Sequence, residues 1–375
     1  MTATHSAARS PSQAFWRDVV EPYAHAERRR SWWFLLTSLP PYLMLFALMD
    51  LSLRISYLLT LALAFPAAGF LVRVYIIFHD CTHGSFLASK RGNRWLGTSL
   101  GLFTFSAFDC WQHNHAIHHA TAGDLDRRGV GDVQTLTVAE YNARPWRGRM
   151  AYRLFRNPLI MFGVGPFVAL VVQPRIVPHS ARPRIKRSVV ATNIALVVLV
   201  GGICLLMGWR SYALVQAPII MLGGAAGIWL FYVQHQFEDV YWEGSAAWSY
   251  PDAALHGSSY LKLPKVLQFF SGNIGFHHVH HLSARIPSYN LPRAHLENAI
   301  FHDVPTLSLT DGLRAVKLKL YDEDRRRMVS FSQARANSRR KHEQSARRLV
   351  PEVSRSRRTN RTGATASGQN PGTGA

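Results

Sequence analysis

Histidines occur in this sequence in dense clusters whose spacings suit metal binding. His79 and His83 are four residues apart, so on a helix they share one face. Two further clusters have the pattern HxxHH, and the positions i, i+3 and i+4 can bring three imidazoles to one side of a helix. Their members are His115, His118 and His119 in the first cluster and His277, His280 and His281 in the second.

One more histidine, His235, follows a long apolar segment. With it, nine imidazoles can point into one volume, which exceeds the four ligands of a structural zinc site. Imidazole suits metal ions of intermediate softness, and the number of donors predicts two ions with coordination positions left open for O2. The nearby His113 and His278 are interpreted as supporting or exposed residues.

Metal ligands need elements that position them, and the chain offers long apolar segments. Crossing an apolar core of about 30 Å takes about 20 helical residues, and backbone exposed to lipid must be helical to pair its polar groups. The predicted spans are 32–49, 53–78, 189–207 and 212–233. The shorter apolar runs 96–108 and 158–172 are predicted to be interfacial or re-entrant.

Membrane sidedness follows from the histidines and from charge. The clusters near 79–119 and 235–281 must lie on one side of the membrane to share a metal site, and the spans 189–207 and 212–233 between them give an even number of crossings. Basic residues crowd segments such as 144–156, which the positive-inside rule assigns to the cytoplasm. We therefore expect an integral protein of the inner (cytoplasmic) membrane whose metal site faces the cytoplasm.

These expectations divide the chain into three parts. A polar N-terminal segment covers 1–30, and a membrane domain covers 31–322, with a mostly helical cytosolic cap formed by 79–187 and 234–321. The remainder, 323–375, is basic and poor in apolar residues, so it is predicted to be disordered.

The formal net charge of +21 permits two interpretations. A basic tail is typical of nucleic-acid binding, and it is also typical of a solvated segment beside anionic lipid. The membrane-protein pattern of the rest of the chain favours the lipid interpretation, so no nucleic-acid partner is predicted. The three cysteines form no CxxC pair and indicate no disulfide framework.

The histidine boxes and their surroundings resemble those of the membrane fatty-acid desaturases. The segments that carry the resemblance to the delta-12 (omega-6) branch, bacterial type, are 78–85 (FHDCTHGS), 111–119 (WQHNHAIHH), 234–238 (QHQFE) and 272–281 (GNIGFHHVHH). The resemblance extends from about residue 30 to about residue 320 and leaves out both ends.

The resemblance implies an all-α integral membrane protein with four transmembrane helices and a cytosolic helical cap. It also implies two iron ions as cofactor, O2 as co-substrate, and removal of two hydrogens from adjacent methylenes of an acyl chain, with water and a cis double bond as products. By motif position, Asn273 stands where a water-mediated metal contact is expected. The residues implied as metal ligands and catalytic residues are His79, His83, His115, His118, His119, His235, His277, His280 and His281.

The resemblance further implies partners. Besides membrane lipids, the partner is an acyl lipid or acyl thioester substrate, held in a narrow apolar tunnel for which Trp111, Trp242 and Phe276 are candidate lining residues. An external donor, such as a ferredoxin or a cytochrome b5-like carrier, has to supply two electrons per turnover. The sequence itself has neither a GxGxxG fingerprint after a strand nor an HPGG haem motif. The basic cap is expected to attract an acidic carrier.

Alternatives stay open within the enzyme class and outside it. A di-iron lipid hydroxylase or a carotenoid-modifying oxygenase begins with the same hydrogen abstraction. A non-enzymatic membrane haem or metal-binding protein would also use histidines, but axial haem ligands lie within facing spans, whereas these clusters lie beyond the span ends. Transport sites place ionisable groups near the midplane, and the predicted spans contain almost none apart from Arg73.

Overall fold

Long apolar helices and shorter polar ones make up most of the chain. The computed structural model describes residues 11–177, 179 and 181–349. Within them the α-helices are, in chain order, α1 (Pro11–Val20), α2 (Arg28–Leu36), α3 (Leu39–Ser52), α4 (Tyr57–His83), α5 (Lys90–Phe103), α6 (Phe108–Thr121), α7 (Val138–Ala143), α8 (Trp146–Phe155), α9 (Pro183–Met207), α10 (Trp209–His235), α11 (Tyr250–His256), α12 (Lys265–Phe270), α13 (His277–Leu282), α14 (Leu291–Glu297), α15 (Leu309–Ala315) and α16 (Phe331–Leu349).

Short strands join parts of the chain that are distant in sequence. They are β1 (Leu136–Thr137), β2 (Tyr260–Lys262), β3 (Thr306–Ser308), β4 (Leu320–Asp322) and β5 (Arg327–Val329). Strand β4 lies between β1, to which it is parallel, and β5, to which it is antiparallel, while β2 pairs in parallel with β3. Strands of two or three residues are too short to show an alternating pattern, so the sequence analysis did not predict them.

Within the described residues, four helical segments are long and apolar enough to cross a membrane. They are Arg28–Ser52, which comprises α2 and α3, together with α4, α9 and α10. This confirms the predicted all-α membrane protein with four spans. Helices α4 and α10 continue beyond the predicted apolar runs, as far as His83 and His235, so each carries histidines out of its apolar segment.

Helix α4 is central to the bundle. It packs against α3, α5 and α10, and α9 in turn packs against α10 and α6. The side chains of Ala64, Ala67 and Ile77 on α4 are fully buried. Small residues let helices approach closely in a membrane, where dispersion contacts drive association. This packing fixes the position and rotation of the helix that ends in His79 and His83.

A buried arginine lies within α4. The Nε atom of Arg73 donates to Ser38 Oγ (3.0 Å), and its Nη1 donates to the carbonyl of Phe269. The guanidinium carbon lies 4.0 Å from the ring centroid of Phe34 and 3.8 Å from that of Phe269. These contacts satisfy the charge inside the bundle and tie α4 to the break between α2 and α3 and to α12. The environment is therefore that of a structural cation, not of a transport site.

A bent segment follows α8. Helix α8 and the helical stretch Ile160–Arg175 meet at an angle of 54°. Within this stretch, Ile160–Val164 and Phe167–Val172 are π-helical. By length and composition the pair is suited either to a fifth, broken span or to a re-entrant loop.

The C-terminal part differs from the sequence expectation. The described residues up to Val329 form one unit, and a second unit begins at Ser330. The structure gives strand β5 and helix α16 to residues that the sequence analysis expects to be disordered. Helix α16 contains several Ala, Gln and Arg residues, whose intrinsic propensity favours a helix even without an apolar stripe. The predicted disorder of 350–375, and residues 1–10 of the polar N-terminal segment, lie outside the described residues.

A buried lysine precedes β4. Lys319 is 5% exposed, and among the described residues its Nζ has no hydrogen-bond partner. The Nζ atom lies 5.4 Å from the ring centroid of Tyr232. Burial, together with the nearby charge of Arg156, lowers the pKa of the Lys319 ammonium to about 7.

We expect Lys319→Met to stabilise the fold, most strongly at low pH. Below pH 7 the native state buries a protonated ammonium, whereas the unfolded chain holds that proton up to its ordinary pKa of 10.5. Wild-type stability therefore rises between these two pH values, and the advantage of methionine shrinks over the same interval. Thermal unfolding in detergent measures this, with Tm rising by roughly 2–4 °C for each kcal/mol recovered.

The exposed Lys317 offers a matched control, because Lys317→Met removes a neighbouring ammonium that is not buried. This variant should show no pH-dependent difference from the wild type. A stability difference for Lys319→Met that is the same at every pH would contradict the explanation.

Candidate metal centre

Four helices deliver the nine predicted histidines to one region. Helix α4 ends in His79 and His83, α10 ends in His235, and α6 and α13 carry the two HxxHH clusters. The histidines fall into two groups, within each of which the potential ligand atoms lie within 4.8 Å of one another. Group A contains His79, His83, His115, His119 and His280, and group B contains His118, His235, His277 and His281.

In group A the ring nitrogens approach one another closely. The Nε2 atom of His115 is 3.0 Å from that of His79 and 3.1 Å from that of His119. The Nε2 atom of His280 is 3.0 Å from that of His119. The ring centroid of His83 is 4.9 Å from those of His115 and His119. Five imidazoles therefore surround one small volume.

Group B is arranged around the end of α10. The Nε2 atom of His235 is 3.2 Å from that of His118 and 2.9 Å from that of His277. The ring centroid of His281 is 4.7 Å from that of His235. The two groups adjoin, because the rings of His281 and His119 stack with their centroids 4.2 Å apart and their planes 22° apart.

Each HxxHH cluster contributes to both groups. On α6, His115 and His119 belong to group A, while His118 belongs to group B. On α13 the assignment is reversed, with the i, i+4 pair in group B and the i+3 residue in group A. Successive residues of a helix point about 100° apart, so two adjacent histidines can face different groups. The sequence analysis expected each cluster to converge on one side, and the division between two groups is a finding of the structure.

The geometry fits a pair of metal ions. Two nitrogen ligands about 2.1 Å from one ion and at right angles to each other lie about 3.0 Å apart. The observed Nε2–Nε2 distances of 2.9 to 3.2 Å agree with this value. The Nε2 atoms of His83 and His281 are buried, and among the described residues neither has a hydrogen-bond partner. A bound ion would satisfy these nitrogens.

Burial favours the neutral form of five of these imidazoles. It lowers the pKa of His115, His119 and His280 well below the ordinary value of 6.5, and neighbouring histidines lower it further. Burial likewise lowers the pKa of His277 and His281. A neutral imidazole has a free lone pair, which is the form that binds a metal ion.

Three oxygen acceptors orient the rings from behind. Nδ1 of His79 lies 3.2 Å from Asp80 Oδ1, and Nδ1 of His118 contacts Asp132 Oδ1. The carbonyl of Gly257 is 3.2 Å from Nδ1 of His235. When Nδ1 carries the proton, Nε2 is left to bind metal, so these partners select the tautomer. The sequence analysis did not assign these roles, although Asp80 stands inside the matched segment 78–85.

Two glycines let loops approach the histidine helices. Gly131 has φ +74°, and a Cβ there would lie 3.0 Å from the Cβ of His118, so glycine allows the loop to bring Asp132 onto α6. Gly272 has φ +56°, and a Cβ there would lie 2.9 Å from Ile76 on α4. The turn before α13 can therefore pack against α4 and place its histidines beside those of α4.

The remaining predicted residues lie around the groups. Asn273 has φ +65°, donates from Nδ2 to the carbonyl of Ser288 (3.2 Å) and accepts from Gln268 (3.1 Å). Its water-mediated metal contact stays a prediction. His113 is exposed on α6. His278 is fully buried outside both groups, with its Nε2 3.0 Å from Nδ1 of His295.

Aromatic side chains pack close to the histidines. The ring of Trp111 lies against that of His115 with centroids 4.2 Å apart. Trp242 is buried and lines a narrow crevice of about 10 Å³ beside group B. Phe276 instead stacks on Tyr260, at a centroid distance of 4.6 Å. Of the three candidate lining residues, two therefore lie next to the proposed metal sites.

The crevice beside group B is bordered by His118, His235, Phe231 and Trp242. Its volume of about 10 Å³ is close to what one water molecule requires. Trp242 also lines a larger cavity of about 360 Å³, together with Tyr321. Trp242 thus borders both spaces.

The adjoining groups also bear on the bent segment after α8. The histidines of α4 and α6 precede it in the chain, and His235 at the end of α10 comes after it, so an even number of membrane crossings must separate them. Helices α9 and α10 supply two. This argues that the bent segment enters and leaves the membrane on the same side, in keeping with the interfacial or re-entrant role predicted for 158–172.

Comparison with known proteins places these features in a family context. A model of the family described as fatty acid desaturase matches residues 52–307, which include all nine histidines. The chain is 48% identical over 312 residues to a fatty acid desaturase of Bacillus subtilis (strain 168), an alignment that covers 83% of this chain and 89% of the relative.

Two proteins of a Synechocystis species are more distant relatives. Identity to an sn-1 oleoyl-lipid 12-desaturase is 28% over 246 residues, covering 60% of this chain and 64% of the relative. Identity to an sn-1 acyl-lipid omega-3 desaturase (ferredoxin) is 27% over 237 residues, covering 59% of this chain and 62% of the relative.

The contact between Asp132 and His118 leads to a prediction about metal binding. Asp132→Asn keeps the shape of the side chain but removes the carboxylate that orients the ring, so metal affinity at group B should fall by roughly 10–100-fold. Metal analysis of the purified protein after dialysis measures this. Asp239→Asn is the control, because the Asp239 side chain is 84% exposed. Equal metal retention in both variants would show that the carboxylate does not support the site.

Proposed function

The chain belongs to the fatty acid desaturase family, and we propose that it is an O2-dependent acyl desaturase whose two histidine groups hold a pair of iron ions. The family predicted from the histidine boxes is confirmed, and the protein is a desaturase. Membership removes the alternative of a non-enzymatic haem or metal-binding protein. The observation that carries the iron proposal is the division of nine histidines between two adjoining groups.

In the proposed reaction, an acyl chain loses one hydrogen from each of two adjacent methylenes. One O2 takes up these two hydrogens together with two electrons from a donor and two protons, and the products are a cis double bond and two water molecules. Iron bound at groups A and B supplies the reactivity toward O2 that protein side chains lack.

The chain's own residues keep the site in a reactive arrangement. Neutral imidazoles bind a cation without cancelling its charge, in contrast to the carboxylates of soluble di-iron bundles. The carboxylates of Asp80 and Asp132 orient the rings of His79 and His118 through contacts with their Nδ1 atoms. Trp111 packs against His115, and Trp242 borders the narrow crevice beside group B, so both place apolar surface next to the histidines. We propose all nine histidines as ligands and Asn273 as a water-mediated contact.

The proposed substrate is the acyl chain of a membrane lipid. The two cyanobacterial relatives act, by their names, on oleoyl-lipid and acyl-lipid substrates. The protein is itself a membrane protein, so a lipid chain is available beside the spans. We place it in the cytoplasmic membrane with both groups facing the cytoplasm, because basic residues dominate the segments on that side.

The test is the fatty-acid profile of a bacterial host that expresses the wild type, His118→Ala or His113→Ala. His118 belongs to group B, whereas His113 is an exposed histidine on the same helix that belongs to neither group. The wild type and His113→Ala should produce a new unsaturated species, and His118→Ala should produce none. Gas chromatography with mass spectrometry of double-bond derivatives locates the bond.

Two outcomes would contradict the proposal. A hydroxylated product in place of an unsaturated one would assign the protein to oxygenation instead. The other contradicting outcome is an unchanged set of acyl chains in every lipid class when iron-loaded wild-type protein is supplied with reductant. That result would refute acyl desaturation.

The electron donor is proposed to be an external acidic carrier such as a ferredoxin, since one relative is named for ferredoxin. The net charge of +21 should attract an acidic protein. We expect the donor-supported rate to fall as salt is raised, because the screening length shrinks from about 10 Å at 0.1 M to about 3 Å at 1 M. A small neutral reductant serves as the control and should show little salt dependence. Equal salt dependence for both reductants would argue against electrostatic docking.

A further inference from the structure

A fully buried arginine follows α8 at the start of the bent segment. Arg156 is 0% exposed, although it ends a run of basic residues that the sequence analysis assigned to the cytoplasmic surface. Its Nη1 donates to the carbonyl of Gln134 (2.7 Å) and to the hydroxyl of Thr135 (3.2 Å). Its Nη2 donates to the hydroxyl of Tyr232 (2.9 Å) and to the side-chain oxygen of Gln236 (2.9 Å).

One side of this network reaches His235. Gln236 follows that histidine directly, and its backbone (φ −129°, ψ +68°) leaves the helical conformation, so α10 ends there. The Nε2 atom of Gln236 donates to the carbonyl of His235 (3.2 Å). Its side-chain oxygen accepts from Arg156 and from Thr135 (3.0 Å). The guanidinium therefore fixes the chain where α10 presents His235 to group B.

The other side of the network reaches His118. Gln134 and Thr135 lie just after Asp132, the carboxylate that contacts Nδ1 of His118. By holding the Gln134 carbonyl and the Thr135 hydroxyl, Arg156 anchors the loop that delivers this carboxylate. Two of the four histidines of group B thus depend on segments that meet at one guanidinium.

In the hydrogen bonds that the structure describes, group A has no such link to Arg156. Its histidines lie on α4, α6 and α13, whereas the partners of Arg156 lie on α10, directly after α10, and in the loops before β1 and β4. A disturbance at Arg156 should therefore reach group B first.

We propose that Arg156 is a positioning residue for group B, which brings the end of α10 and the Asp132 loop into the register needed to bind the second metal ion. The inference rests on the proposed di-iron function. Lysine cannot substitute, because its ammonium is a point charge with three donors, whereas the planar guanidinium serves acceptors on both sides at once. Loss of an orienting contact of this kind lowers metal affinity by roughly 10–100-fold.

The experiment compares full-length wild type, Arg156→Lys, Gln236→Leu and Gln236→Glu after purification in detergent and loading with Fe²⁺. Iron per chain is measured by mass spectrometry, and the coupling between irons by electron paramagnetic resonance after oxidation. Arg156→Lys and Gln236→Leu should retain about one iron per chain, which gives the signal of an isolated ferric ion. Gln236→Glu keeps the oxygen that Arg156 needs and should retain about two coupled irons.

Arg175→Lys is the matched control. Arg175 also donates to a backbone carbonyl, that of Phe105, but it contacts neither His235 nor the Asp132 loop in the hydrogen bonds that the structure describes. This variant should bind iron like the wild type. If Arg156→Lys does not fold, the pair Gln236→Leu and Gln236→Glu decides the question. Both variants lose the amide donor of Gln236, and only Glu keeps the side-chain oxygen that accepts from Arg156 and Thr135.

Two results would overturn the inference. One is retention of two coupled irons in Gln236→Leu or in folded Arg156→Lys. The other is equal loss of both irons in a folded variant, which would mean that Arg156 supports the fold in general. Failure of the wild type to bind iron is distinguishable from both, because it would refute the proposed function before any variant is compared.

Discussion

The close approach of nine imidazole nitrogen donors is the constraint on which the rest of the structure depends. Imidazoles this close cannot all be protonated, and burial lowers the pKa of His115 and His277 well below the ordinary value of 6.5. The Nε2 atoms of His83 and His281 are buried and have no hydrogen-bond partner among the described residues. Such a cluster is stable only if something replaces the missing partners, and the distances between nitrogens match those around metal ions.

Both the membrane helices and the helices outside the spans position the histidines of this cluster. Helices α4 and α10 run without a break from the apolar layer to His83 and His235, so packing within the bilayer sets where these residues emerge. The cap adds α6 and α13 and supplies the oxygen acceptors behind the rings. Contacts between residues far apart in sequence join the two parts, as when Ser288 N donates to Asp80 Oδ2 (2.7 Å).

Local spacing made some features predictable, and long-range contacts hid others. The i, i+4 pair His79 and His83 lies on one helix face, and the four spans follow from the lengths of apolar runs. The assignment of His118 and His119 to different groups could not be read from sequence, because it depends on where α10 and α13 lie. The burial of Arg156 could not be predicted, because its basic neighbours suggest a solvated surface. Its hydrogen-bond partners are up to 162 residues away in the chain. Strands of two or three residues left no periodic pattern at all.

The sharing of α6 and α13 between the two groups has a consequence for the distance between the ions they are proposed to hold. In the described residues neither group includes an Asp or Glu, so no carboxylate of either group is available to bridge the ions. The distance between the two groups is instead set by α6 and α13, because each helix contributes histidines to both groups. The α-helical pitch of about 5.4 Å fixes the spacing of those histidines. A carboxylate ligand can change between bridging and terminal coordination when a metal site is oxidised or reduced. The backbone of a helix, in contrast, keeps the spacing of the histidines it carries. Two ions held by these groups would therefore keep a spacing that the scaffold sets.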